Sequence, residues 1–175
     1  ARFCIVIFLL LFNLASLAQT NWYVSTTGNN ATGDGSVGNP WQTIGHALSH
    51  ASVVNGDIIN VAAGTYTESP ATISKQVTIQ GVTGTIIQTS GTTPLFTVSA
   101  VSVRIIGFEI IKTDDLVSQN IITVQGNDFE LANCIIHAQY LMGDGEVTRG
   151  IEISSGRTGI SIHDNEFYAL RQPGI

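Results

Sequence analysis

The chain has 175 residues, enough for one domain of ordinary size, with 11% charged side chains, 43% hydrophobic ones and a formal net charge of −6. It contains no tract of Lys or Arg, which excludes nucleic acid and anionic membrane surfaces as partners, because both demand concentrated positive charge. Low charge combined with 18 glycines and abundant Thr, Val and Ile favours strands and tight turns over helices.

At the start, Arg2 precedes the apolar run FCIVIFLLLF (Phe3–Phe12), and NLASLA then ends on small residues before Gln19. A positive start, an apolar centre and a small-residue end predict a secretory signal peptide over residues 1–18. The run is well short of the roughly 20 residues that a membrane span needs. The protein is therefore expected to be secreted, periplasmic or on the cell surface, with no membrane span once the peptide is removed. Cys4 would leave with that peptide. Cys134 then has no partner for an internal disulfide and reads as a small buried side chain.

Residues 19–56 read as a strand, a loop and a capping helix. In GNNATGDGS, the oxygens of Asn29, Asp34 and Ser36 suggest a cation loop, but a polar glycine-rich turn is the simpler account. NPWQTIGHALSHAS (39–52) predicts a helix with Asn39 as N-cap, Pro40 at the first helical position and Gln42 reaching back. Trp41, Ile44, Leu48 and Ala51 fall on one face, as expected of a lid over the first coil. His46 and His50 have the four-residue spacing of a zinc pair. They project from the other face without a third ligand and read as solvent-exposed.

From residue 57 onward the sequence repeats. TIQGVTG (78–84), RIIGFEI (104–110), ELANCII (130–136) and SIHDNEF (161–167) align on Ile79, Ile105, Leu131 and Ile162, at intervals of 26, 26 and 31. Gly81, Gly107, Asn133 and Asp164 follow two residues on, and Gly84, Ile110, Ile136 and Phe167 five residues on. LFTV (95–98), IITV (121–124) and GIEI (150–153) form a second row at the same period. Three short strands per repeat, with no helical pattern inside, predict a β-solenoid whose coils stack about 4.8 Å apart through parallel ladders. Gly81, Gly107, Asn133 and Asp164 then mark corners where the chain takes positive φ. Asn165 would point inward and pair amide to amide only if the neighbouring coil offered a partner, and Cys134 stands there instead.

The series WYVSTTGNN, GDGSVGNPWQTIGHAL, GDIINVAAGTYTE and KQVTIQG, over residues 22 to about 81, resembles the N-terminal portion of secreted right-handed parallel β-helix proteins of the pectin-lyase-like superfamily. The resemblance implies an all-β, right-handed parallel β-helix with coils of about 26 residues and a short N-terminal capping helix. Coils are expected over 57–175, truncated at the C-terminus, since Gly174-Ile175 matches Gly150-Ile151. Relatives include polysaccharide lyases, glycoside hydrolases and surface proteins without demonstrated catalysis, so the fold does not choose among them.

Alternation assigns the outward positions. On the first strands these are Thr78, Arg104, Glu130 and Ser161, then Gln80, Ile106, Ala132 and His163, with Arg104 and Glu130 one coil apart as a surface ion pair. On the second strands they are Thr83, Glu109, Ile135 and Glu166, then Thr85, Ile111, His137 and Tyr168. Glu109, His137, Glu166 and Tyr168 thus share a face where carboxylates and a ring can hold a sugar. Glu109 and Glu166 lie two coils apart, near the spacing of an inverting hydrolase pair. The glycine-rich stretch 140–150 adds Asp144, Glu146 and Arg149 as loop candidates.

These patterns predict a monomeric exported protein that interacts with polysaccharide or a cell-surface glycan, with no catalytic residue and no metal ligand assignable. One alternative is a lyase or hydrolase of acidic glycans. By resemblance, a lyase would use Ca²⁺ and a Lys or Arg base, with Lys112, Asp114 and Asp115 the nearest cluster. The other alternative is a structural or adhesive surface module. No cofactor is expected otherwise.

Overall fold

A computed structural model describes residues 19–113, 120–138 and 149–170. The predicted signal peptide, Asp114, Asp115, Asp144, Glu146 and the Gly174-Ile175 match lie outside the described residues. Strand β1 (Asn21–Val24) opens the fold and helix α1 (Ile44–Ser49) follows. The first coil then comprises β2 (Ile58–Val61), β3 (Gly64–Thr67) and β4 (Ala71–Ile73). The second comprises β5 (Thr78–Gly81), β6 (Thr85–Thr89) and β7 (Phe96–Val98), and the third β8 (Arg104–Ile106), β9 (Glu109–Lys112) and β10 (Asn120–Val124). The fourth comprises β11 (Glu130–Ala132), β12 (Ile135–Ala138) and β13 (Arg149–Ile153), and β14 (Ser161–His163) and β15 (Glu166–Tyr168) begin a fifth.

Equivalent strands of successive coils pair in parallel and build three sheets. Their orders are β1-β2-β5-β8-β11-β14, β13-β10-β7-β4 and β15-β12-β9-β6-β3. This is a parallel β-helix. It forms because each strand alternates inward and outward side chains, so equal spacing from coil to coil stacks like on like. In the first sheet Ile59, Ile79, Ile105, Leu131 and Ile162 occupy successive register positions. The first four are fully buried, whereas Ile162 on the last described rung is 37% exposed. Phe96, Ile122 and Ile151 form the expected row of the second sheet. Burying one such side chain contributes about 1.5–3 kcal/mol, so the rows supply most of the cohesion. Cys134 is buried, as expected.

Several expectations are corrected. Ile87, not Gly84, lies level with Ile110, and Ile86 and Gln88 replace Thr83 and Thr85 on the outer face. The turn before β6 is longer than the repeat suggests. Thr85 closes it, its buried hydroxyl donating to the Val82 carbonyl at 2.7 Å and accepting from the Val82 N–H at 3.0 Å. Secondly, the helix begins at Ile44, not Pro40, and ends at Ser49. Trp41 instead runs beside β1, its N–H donating to the Tyr23 carbonyl and its carbonyl accepting from Ser25. The backbone at Trp41 thereby covers the edge of the first rung, while α1 packs on β4, β1 and β2.

The third correction concerns the histidines. Trp41 is fully buried, and the His50 and His46 rings lie 4.5 and 5.6 Å from it, half-buried rather than exposed to solvent. Trp22 stacks on the same indole at 5.2 Å. The histidines are packing groups of the cap, and among the described residues no three metal-ligating side chains gather.

The corner residues behave as the repeat predicts, with one exception. Gly107, Asn133 and Asp164 take φ of 80°, 54° and 56°. Gly81 remains in β5 without positive φ; there a Cβ would meet the Gly107 carbonyl oxygen at 2.8 Å, so close approach is the reason for glycine. Asn165 makes no amide ladder. Its Oδ1 accepts from the Cys134 N–H and its Nδ2 donates to the Leu131 carbonyl, both at 2.8 Å, tying two rungs together.

Candidate functional site

The outer face of the sheet β15-β12-β9-β6-β3 carries two columns of side chains. Thr65, Ile86, Glu109, Ile135 and Glu166 form one; Thr67, Gln88, Ile111, His137 and Tyr168 form the other. Three of the four residues predicted for sugar binding come into contact. His137 Nε2 donates to Glu109 Oε1 at 3.1 Å, and the Tyr168 ring stacks on the imidazole with centroids 4.3 Å apart and planes 12° apart. The His137 side chain is only 12% exposed, whereas the Glu109 side chain is 34% exposed and Tyr168 is 45% exposed. An oriented imidazole, an accessible carboxylate and an open aromatic edge therefore sit together.

Glu166 is exposed and stays in the Glu109 column, separated from it by Ile135. Two inter-strand steps make that separation roughly 9–10 Å, close to the upper end of the range for an inverting carboxylate pair. Arg149 opens β13, on a different sheet, where it lies level with Asn120. It does not join this group.

A second cluster lies on the first sheet. The predicted pair forms with Arg104 Nε donating to Glu130 Oε2 at 2.7 Å and Nη2 to Oε1 at 3.2 Å. His163 completes it, with Nε2 3.4 Å from Glu130 Oε1 and Nδ1 2.8 Å from Asp164 Oδ2. Arg104 lowers the Glu130 pKa, and the Asp164 carboxylate, ahead of Glu130, raises that of His163. All four groups are solvent-accessible, so the Arg104–Glu130 pair contributes only about 0–1 kcal/mol. The alternation of the strand places His163 outward; its link to Asp164 arises from the left-handed corner, which the repeat alone does not resolve into a contact.

Sequence reasoning missed two buried carboxylates at the N-terminal end. Asp57 accepts from the Thr20 N–H, Trp22 Nε1 and the Val54 N–H at 3.0, 2.8 and 2.9 Å, tying β1 to the coil below it. Glu68 accepts from the Ile44 and Gly45 N–H groups at 2.7 and 3.1 Å, so a residue 24 positions away caps α1. Burial pushes the Glu68 pKa up, and these two donors oppose the rise. A cleft of about 410 Å³ opens between α1 and the corner joining β3 to β4, with Glu68 on its wall. The T-E-S-P stretch carrying Glu68 looks like an ordinary turn in the sequence. Asn29, Asp34 and Ser36 make local turn bonds: Asn29 Oδ1 accepts from the Ala31 N–H and Asp34 Oδ1 from the Ser36 N–H.

Coiled parallel strands carrying exposed polar columns define the protein as a parallel β-helix. Residues 26–175 match the family described as "Protein of unknown function (DUF1565)", and the chain belongs to that family. No curated protein and no solved structure matches it.

Proposed function

We infer that the protein is exported, belongs to the pectin-lyase-like superfamily, and binds an extracellular polysaccharide along the outer face of the sheet β15-β12-β9-β6-β3. The contact among Glu109, His137 and Tyr168 carries this reading, because sugars are held by hydrogen bonds to their hydroxyls and by apolar contact with a ring. Among the described residues no helix is long and apolar enough to cross a membrane. Hydrolysis is a second reading, favoured by the position of Glu109 and Glu166 in one column.

A glycan array probed with the purified protein, with and without Ca²⁺, tests the binding. Tyr168→Ala should weaken a positive signal about tenfold, equivalent to about 1.4 kcal/mol, while Arg104→Ala on the first sheet leaves it unchanged. Equal binding by Tyr168→Ala overturns the assignment of the face. Reducing ends released from a bound glycan without absorbance from unsaturated product would establish hydrolysis, and reducing ends released together with that absorbance would establish a lyase.

A further inference from the structure

The cleft beneath α1 and the polar face of the β15-side sheet are not separate features. Thr67 lines the cleft and also begins the column that continues through Gln88, Ile111 and His137 to Tyr168. Four inter-strand steps separate Thr67 from Tyr168, roughly 19 Å. The track therefore opens at its α1 side into a recess and carries a partly exposed ring on the last described rung.

The recess is built for hydroxyl or ammonium donors. Its wall includes Glu68, which is 6% exposed and spends one N–H bond on each carboxylate oxygen, leaving acceptor capacity on both. Thr43, His46, Ser49 and Thr72 add further polar groups around the opening. At about 410 Å³ the recess lies within the range of small-molecule sites. The ten column positions include two carboxylates, Glu109 and Glu166, and no Lys or Arg. A polyuronate laid on that face would meet like charge.

We propose that the cleft under α1 is an end-recognising subsite, which takes the terminal residue of a neutral or amino-bearing glycan whose chain runs from Thr67 to Tyr168. The proposal rests on the polysaccharide reading given above. It adds the class of sugar and the point where the chain stops. Glu68 receives the terminal hydroxyls or amine, and the open edge of the Tyr168 ring contacts the far end.

Calorimetry with short and long gluco-oligosaccharides, the corresponding chito-oligosaccharides and polygalacturonate tests it. Wild-type affinity should rise with chain length and then level off. Thr72→Trp, at an exposed position of the cleft opening, and Glu68→Gln should each weaken short and long chains of the bound series alike, about tenfold, whereas Tyr168→Ala removes only the gain of chains long enough to reach it. Because Glu68 also caps α1, Thr72→Trp is decisive, with an unchanged melting temperature as its control. Thr72→Trp binding long chains like the wild type overturns the cleft assignment alone. Polygalacturonate binding more tightly than the neutral and amino series overturns the sugar class. If neither these chains nor any glycan on the array binds the wild type, the polysaccharide reading falls and takes the subsite with it.

Discussion

Burial acts on Glu68 and His46 in opposite senses. The folded pKa of Glu68 lies above its ordinary 4.5, so the stability it contributes is complete below pH 4.5 and is lost as pH rises through the raised value. His46 lies below its ordinary 6.5, through burial first and the neighbouring His50 second. Its contribution is complete above pH 6.5 and is lost as pH falls through the lowered value. Urea midpoints measured against pH should therefore fall less steeply on the alkaline side in Glu68→Gln and less steeply on the acid side in His46→Gln. Identical pH profiles for both variants and the wild type would contradict this account. Asn133 supplies a separate residue-scale prediction. At φ 54°, Asn133→Ala should cost about 1–2 kcal/mol in urea unfolding, whereas Asn133→Gly should cost little or nothing.

Strand rows were legible because their period is carried by large aliphatic side chains that have no alternative but the interior. Ile79, Ile105 and Leu131 declare both the coil length and the direction each strand faces. Their depth predicts the mutational cost. Ile105→Ala should destabilise by about 2–5 kcal/mol, and its neighbour Ile106→Ala by clearly less, because Ile106 faces outward and is only half-buried. Equal losses in chemical denaturation would contradict the inward and outward assignment. The helix and the β6 turn were read less well, and for one reason. Asn39-Pro40 satisfies local capping rules, but Trp41 gains more by burying its indole and lending its backbone to β1, which pushes the cap to Thr43. Likewise the Val82–Thr85 hydroxyl bond fixes a turn whose length no periodicity records.

Across the whole molecule, the candidate face was predictable from alternation, since Glu109, His137 and Tyr168 all fall at outward positions of known spacing. Their direct contacts were not, because stacking geometry depends on rotamers. The cleft and its buried Glu68 were still less visible, as they depend on a helix packing against a corner 24 residues further along the chain. Such long-range placement has no signature in local composition. The equal length of the middle coils has one further result. Excising residues 104–129, a full period, would splice Val103 to Glu130 and set Ile79 against Leu131, leaving a shorter tower of the same cross-section. Removing one residue fewer, with the shortfall falling inside a strand, would put the greasy side of that strand outdoors. The strands should therefore change only in whole storeys, whereas a connecting loop absorbs any number, as the 31-residue interval from Leu131 to Ile162 does.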